Sequence, residues 1–424
     1  MSATVSVHLN GHARTARISG HRGLRVLFLS QRFLYPLDSG GRIRTAKILE
    51  GLKKMFHVTL VSQVDPGKDA PYLGEVDRVA TEFHGVIWRE RPKYTARFYL
   101  RVLARALSPY PVTVANDYSP ALAATLERLA AERRHDLLVC DFLQPSLNVR
   151  GIDALPTLLF QHNVESMIPR RHFEAAAHPL LKAFWWSQWR KMRRFERAQC
   201  QRFTSVAAVS DVDKDTLERE FGARRVFLVP TGVDTHFFRP AESAPDPSAL
   251  VFTGAMDWLP NEDAMLFFGE AILPRIRERR PDVTLTIVGR NPSPRLSARL
   301  AAHPGITITG RVDDIRPFLA QAAVYVIPLR IGGGTRIKAF EAMAMGKPVV
   351  STPIGVEGLR VDDGLHLVLA REPEAFADAV LGLLESPERR QRVGSAARAL
   401  VEREFSWDRA ASAFADACLA TAAR

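Results

Sequence analysis

Short runs that are apolar throughout alternate with longer stretches in which apolar residues recur every three or four positions. Between residues 24 and 230 the short runs are LRVLFLS, HVTLVSQ, HGVIW, DLLVCDF, PTLLFQH, TSVAAVS and VFLVP. A run with no polar face suits a strand buried on both sides of a parallel sheet. Alternation of such runs with helical stretches predicts βαβ units. Residues 239–248 (RPAESAPDPS) lack apolar periodicity and are rich in proline and small residues, so they are expected to be a linker. The alternation then restarts with ALVFTGA, VTLTIVGR, GITITGR, AVYVIPL and KPVVST. The predicted fold class is α/β, with two doubly wound, Rossmann-like domains facing a cleft. Its expected parts are a flexible leader over 1–23, an N-terminal domain over 24–238 and a C-terminal domain over 249–406. A last helix over 407–424 is expected to pack back on the N-terminal domain.

A length of 424 residues agrees with two domains of ordinary size, and 25% charged residues sets the chain apart from disordered polypeptides. Cys140, Cys200 and Cys418 lie far apart with no CxxC pair, which excludes a disulfide framework or a zinc site of recognisable spacing. The first 23 residues hold no apolar core of signal-peptide length, and no stretch reaches about 18 apolar residues. A cytoplasmic protein is expected, at most peripheral on the inner face of the membrane. The net charge of +12 favours polyanions: nucleic acid, anionic lipid or phosphorylated small molecules. No nucleic-acid-binding motif accompanies that charge, so no specific nucleic-acid partner is expected.

In open parallel sheets ligands collect beyond the carboxyl ends of the strands, so the chemistry is sought in loops that follow strands. The richest is in residues 331–352, IGGGTRIKAFEAMAMGKPVVST. Gly332, Gly333 and Gly334 allow close backbone approach, and Thr335 suits the N-cap of a helix running to Met345 with Gly346 just beyond its end. Arg336 and Lys338 place cations in the first turn, where they oppose the helix dipole, and a phosphate at this end explains them better than solvent exposure does. Glu341, one turn further on, either accepts from ribose hydroxyls or pairs with Lys338 at i,i+3.

The matching first-half loop, residues 33–44 (FLYPLDSGGRIR), is not GxGxxG, and no acidic residue ends the next strand, so a bound dinucleotide is not expected. Gly40 and Gly41 either lie close to a sugar or shape a βα turn. His162 follows the strand PTLLFQ, where a doubly wound domain places its cleft. Residues 169–203 combine Trp185, Trp186 and Trp189 with Arg190, Lys191, Arg193, Arg194 and Arg197. A basic amphipathic helix can lie on an anionic membrane, but a core-facing tryptophan stripe is the favoured reading.

Four segments together resemble the retaining GT-B glycosyltransferases of family 4, the group 1 glycosyltransferases. They are VPTGVDTHFFRP, LVFTGAMDWLPNEDA, ITGRVDDIRPFLAQAAVYVIPL and GGGTRIKAFEAMAMGKPVVSTPIGVEGL, in order along the chain. The resemblance implies transfer of a sugar from a nucleotide-diphosphate sugar with retention, without a metal or other cofactor. It implies Arg336 and Lys338 on the diphosphate, Gly332 to Thr335 bordering phosphate and sugar, and Glu341 on the ribose. It places Arg311 and Val312 in the loop lining the base, Gly40 and Gly41 in the first domain's glycine loop, and His162 against the donor sugar. Two features depart from the family pattern. Gly333 stands where many members carry a second glutamate, and Gly254 is followed by Ala255, Met256, Asp257 and Trp258 where many carry an arginine and a lysine. Lys338 and Arg336 then bear more of the diphosphate charge. The expected acceptor is a glycan or polyprenyl-linked sugar in polysaccharide assembly. The alternatives are an epimerase of the same fold and a non-catalytic nucleotide-sugar-binding partner.

Overall fold

The computed structural model describes residues 4–7, 23–89, 95–331 and 337–423. The chain divides into two compact units, Met1–Pro230 with Ala410–Arg424, and Thr231–Arg409.

The first unit is built on β1 (Thr4–Val7), β2 (Arg25–Ser30), β3 (His57–Val64), β4 (Glu82–Ile87), β5 (Leu137–Asp141), β6 (Thr157–Phe160), β7 (Ser205–Ala208) and β8 (Val226–Leu228). Their order in the sheet is β1-β4-β3-β2-β5-β6-β7-β8, parallel from β2 onward, with β1 antiparallel on the edge. Alternate residues of each strand feed opposite core layers, as the period of two requires. Val26, Phe28 and Leu60 pack with Ile48, Leu49 and Leu52 of helix α1 (Gly40–Lys53) and with Phe414 and Cys418 of the C-terminal helix Trp407–Ala422. Leu27, Leu29 and Val61 face the other layer, with Leu126, Met192 and Phe195. Three further helices matter below: α2 (Ala96–Ala106), α3 (Met167–Ala175) and α4 (Pro179–Arg202). Thr4–Val7 pairs along β4, so part of the expected flexible leader is a strand.

The second unit holds β9 (Asp246–Thr253), β10 (Thr284–Val288), β11 (Ile306–Gly310), β12 (Ala322–Ile327), β13 (Val349–Ser351) and β14 (Val368–Leu369). All pair in parallel in the order β11-β10-β9-β12-β13-β14. The strand order reverses between β9 and β12, which makes their carboxyl ends the natural ligand crevice. Two helices border it, α5 (Leu259–Phe267) and α6 (Ile337–Ala344). Gly346 closes α6 with φ +66°, and its N–H and that of Lys347 bond back to Met343 and Ala342.

The division between units falls ahead of the expected linker. Residues 231–238 belong to the second unit because Val233 N–H bonds to the Phe405 carbonyl, and Arg398 donates to the carbonyls of Thr235 and Phe238. The last residues of the expected linker already form the start of β9, where Asp246 lies opposite Ala322.

Candidate functional site

In the second unit, three chain segments converge at the end of β9. Gly254 follows that strand with φ +156°, and its N–H bonds to the Val288 carbonyl at 2.9 Å. Lys338, in the first turn of α6, donates from Nζ to Asn261 Oδ1 at 2.8 Å and lies 4.0 Å from the centre of the Phe252 ring. Asn261 Nδ2 in turn donates to the Ala255 carbonyl at 2.8 Å, which turns its oxygen toward the lysine. A β-carbon at position 254 would lie 2.7 Å from both Lys338 Nζ and Asn261 Nδ2, so this approach needs glycine. Gly289, after β10, is equally constrained, since a β-carbon there would meet the Gly254 carbonyl oxygen at 1.8 Å. The ammonium is therefore fixed in place by a neutral amide and an aromatic face.

Glu341 lies one turn along α6 and is half-buried. Burial pushes its carboxyl up to about 7, against the pull of the Lys338 charge. Among the described residues no hydrogen bond reaches this carboxylate and no ion pair joins it to Lys338. Arg330, just before the glycine loop, is held by Asp263 through two bonds of 2.6 and 3.0 Å and stacks over Phe267. Arg311 is exposed after β11, while Val312 packs against the core. Both lie at the carboxyl edge of the same sheet but two strands from Gly254. The structure thus brings together Gly254, Lys338 and Glu341. Gly332, Gly333, Gly334, Thr335 and Arg336 lie outside the described residues.

The first unit carries a different cluster at the ends of β5 and β6. His162 Nε2 lies 2.7 Å from Asp141 Oδ1, and its Nδ1 lies 3.1 Å from Arg44 Nη1. A guanidinium can only donate, so Nδ1 is the acceptor and the proton sits on Nε2, facing Asp141. Thr45 Oγ1 donates to the other oxygen of Asp141 at 2.8 Å. Burial lowers the His162 pKa; Asp141 opposes that effect and Arg44 adds to it. Burial also brings Arg44 down to about 10. The imidazole is 3% exposed and stacks on Phe142 with centroids 3.8 Å apart. Both ring nitrogens of His162 are thus engaged by neighbouring side chains in this structure. Gly40 is the exposed first residue of α1, whereas Gly41 is covered: a β-carbon there would lie 2.7 Å from the Phe142 ring.

Beside this cluster, Glu196 of α4 accepts from the backbone N–H groups of Glu165 and Ser166 at 2.8 and 3.0 Å, and burial pushes it up to about 8. The tryptophan stripe on α4 splits. Trp185 and Trp189 stack on His172 and Phe173 of α3, and Trp186 is exposed. Sequence reasoning missed Asn261, Arg44 and Asp141. Asp141 had a signal, as the one carboxylate closing the apolar strand DLLVCD; Asn261 lies in the segment LVFTGAMDWLPNEDA, but nothing in that segment points to Lys338, 77 positions away.

Two α/β units, each built on a largely parallel sheet, are the architecture of the GT-B fold. Solved structures agree. Sucrose-phosphate synthase from Thermosynechococcus elongatus superposes with a TM-score of 0.71 at 17% identity, covering 93% of this chain and 98% of that one. Anabaena HepE in complex with UDP-glucose gives 0.65 at 15% identity, covering 94% and 100%. Residues 39–237 match the family model described as Glycosyltransferase Family 4, and residues 247–386 match that described as Glycosyl transferases group 1. The chain belongs to the family 4 glycosyltransferases. Among curated relatives, D-inositol 3-phosphate glycosyltransferase 2 of Catenulispora acidiphila is 31% identical over 236 residues, 50% of this chain and 55% of the relative. Phosphatidyl-myo-inositol mannosyltransferase of Mycobacterium tuberculosis is 32% identical over 231 residues, 51% and 59%. The similarity spans little more than half the length of these relatives.

Proposed function

We propose that this protein transfers a sugar from a nucleotide-diphosphate sugar to a glycan or lipid-linked acceptor, with retention of anomeric configuration, and that it binds the donor diphosphate at the carboxyl edge of the second unit's sheet. The observation that carries the reading is the Lys338 ammonium, fixed beside Gly254 by Asn261 and Phe252, with Glu341 one turn away on the same helix. As the glycosidic C–O bond breaks, negative charge grows on the β-phosphate. A cation already in place stabilises that charge more than it stabilises the intact donor. Arg336, beside it in sequence, is the second cation of this reading, and Glu341 accepts from the ribose. No metal or cofactor is needed for the leaving group on this reading, so transfer is expected to survive EDTA.

Relatives support a nucleotide-sugar donor without choosing its base. HepE has been seen with UDP-glucose, and a GDP-mannose-dependent mannosyltransferase of Corynebacterium glutamicum is 28% identical over 232 residues. The three buried, unpaired cysteines suit a reducing compartment, where such donors are made. The test is thermal stabilisation by a panel of nucleoside diphosphates and nucleotide-sugars, with Arg336→Ala and Lys338→Ala beside wild type. A ligand at about 100 times its Kd contributes roughly 2.7 kcal/mol, an easily read shift. Stabilisation by one base that both variants lose supports the reading and names the base. Stabilisation that both variants keep, or none from any nucleotide, overturns it. Retention is read from the anomeric coupling constant of the product.

A further inference from the structure

Helix α2 of the first unit presents its apolar side outward. Thr95 caps its start, accepting from the Phe98 N–H at 3.2 Å, and Lys191 of α4 donates to the carbonyls of Ala106 and Ser108 at its end, both at 2.6 Å. The helix is therefore tied at both ends, yet Leu100, Leu103 and Leu107 are 67%, 64% and 85% exposed. Spaced i, i+3 and i+7, these leucines form a single stripe. Arg97, which is exposed, and Arg101 and Arg105, which are half-buried, lie four apart in the stripe beside it, while Phe98 and Val102 lie half-buried on the side away from the leucines. Residues 95–116 contain no aspartate or glutamate.

A surface helix of a protein that meets only water turns its leucines the other way, so this stripe marks a contact surface. Its occupant must accept apolar side chains and, directly alongside, a row of guanidinium groups. A protein partner or second copy would need a groove flanked by matching carboxylates, and every charged residue of this helix is basic, the nearby Asp117 being buried. On the neighbouring α4, Leu180, Leu181 and Trp186 are exposed among Lys182 and Arg190, and residues 175–195 also lack any acidic side chain. An anionic bilayer meets both demands together: leucines enter the acyl boundary, and arginines reach the lipid phosphates from its rim.

We propose that the first unit docks on anionic lipid membranes through the leucine face of α2. At about 1.5 Å per residue the helix runs roughly 16 Å, long enough to lie in the interface and far too short to span it. The proposal concerns the first unit alone and does not rest on the donor reading.

The test is co-sedimentation of the full chain with vesicles of phosphatidylcholine alone or mixed with phosphatidylglycerol. Wild type is expected on the mixed vesicles at low salt and to leave them at high salt. The triple variant Leu100→Ser, Leu103→Ser, Leu107→Ser is expected to lose about tenfold or more in partitioning. Arg97→Gln with Arg101→Gln is expected to lose the preference for phosphatidylglycerol. Nucleotide-induced stabilisation, measured in parallel, should stay at the wild-type level in both variants, which shows that they are folded. Wild type that binds neither vesicle, or binding indifferent to the leucines, overturns the proposal. So does a wild-type dimer that the triple variant converts to monomer, since the face would then belong to a second copy.

Discussion

Replacing Gly254 by alanine tests whether glycine at this position serves the lysine. The new β-carbon would lie 2.7 Å from Lys338 Nζ, 2.7 Å from Asn261 Nδ2 and 3.1 Å from Asn261 Cγ. All three atoms belong to side chains, so the lysine and the amide give way while the strand holds. The backbone, at φ +156°, adds strain of roughly 1 kcal/mol or more for any residue other than glycine. Charge-assisted hydrogen bonds contribute about 1.5–3 kcal/mol each, so moving the ammonium off its position costs on the order of 10- to 150-fold in nucleoside diphosphate affinity. The assay is titration calorimetry on wild type, Gly254→Ala, Lys338→Met and the double variant. If glycine acts through the lysine, the double variant binds no worse than Lys338→Met alone, because groups in contact are not additive. Wild-type affinity in Gly254→Ala, or losses that simply add, would refute the reasoning.

Other outcomes follow from the same geometry. The Glu341 carboxyl is raised from its ordinary 4.5 to about 7, so its contribution to stability is fully present below about 4.5 and is lost as pH rises toward 7. Glu341→Gln should therefore gain stability over wild type between pH 5 and pH 8, by about 1–2 kcal/mol after allowing for its partial exposure, while binding nucleotide more weakly; a pH-independent difference in urea midpoints would contradict this. Asp141→Asn removes the charge that faces Arg44 and His162 in a buried cluster and should cost about 3 kcal/mol in urea unfolding, and a loss under 1 kcal/mol would show that the cluster is not closed as described. Cys140, Cys200 and Cys418 are all buried, and burial pushes their thiols up, so Ellman's reagent should titrate none of them in the native protein and all three after unfolding.

Much of the fold is legible in the sequence because its strands are buried on both faces and leave unbroken apolar runs, as in RVLFLS and TLTIV. The runs that fail to announce themselves have a physical reason to be silent. β14 is two residues long, and β1 is a four-residue edge strand of alternating valine and small hydroxyl side chains. The expected linker rests on composition, which cannot register the backbone bond from Val233 to Phe405 that draws the preceding segment into the second unit. The site divides in the same way. Lys338 and Glu341 stand out as polar residues at the start of a helix that follows a glycine run. Their partner Asn261 sits within LVFTGAMDWLPNEDA, which carries the family resemblance without singling out this residue, and only the adjacency of β9 and β12 brings it near Lys338. Gly41 could be read equally as a ligand-facing or a structural glycine, and the Phe142 ring over it supplies the structural reason.

The two polar clusters differ in how their charges are surrounded, and that difference assigns them different parts. In the first unit Asp141 accepts from His162 and Thr45, and His162 accepts from Arg44, with every member buried; positive and negative groups face one another, and little hydrogen-bonding capacity turns outward. Such a network gives rigidity and shape. In the second unit a lysine that touches a neutral amide and an aromatic ring stands one helical turn from a carboxylate to which no described group donates. A preorganised site holds its charged groups in place before the ligand arrives, so that the ligand's charge meets a cation already positioned. Affinity for a charged donor should accordingly depend on the second cluster and only indirectly on the first. The comparison that decides this is nucleotide affinity measured well below the melting temperature of each variant. Asp141→Asn should bind within about threefold of wild type despite its lost stability, and Lys338→Met should lose tenfold or more at nearly unchanged stability. The reverse order would move the donor's charge recognition into the first unit and leave the Lys338 arrangement as packing.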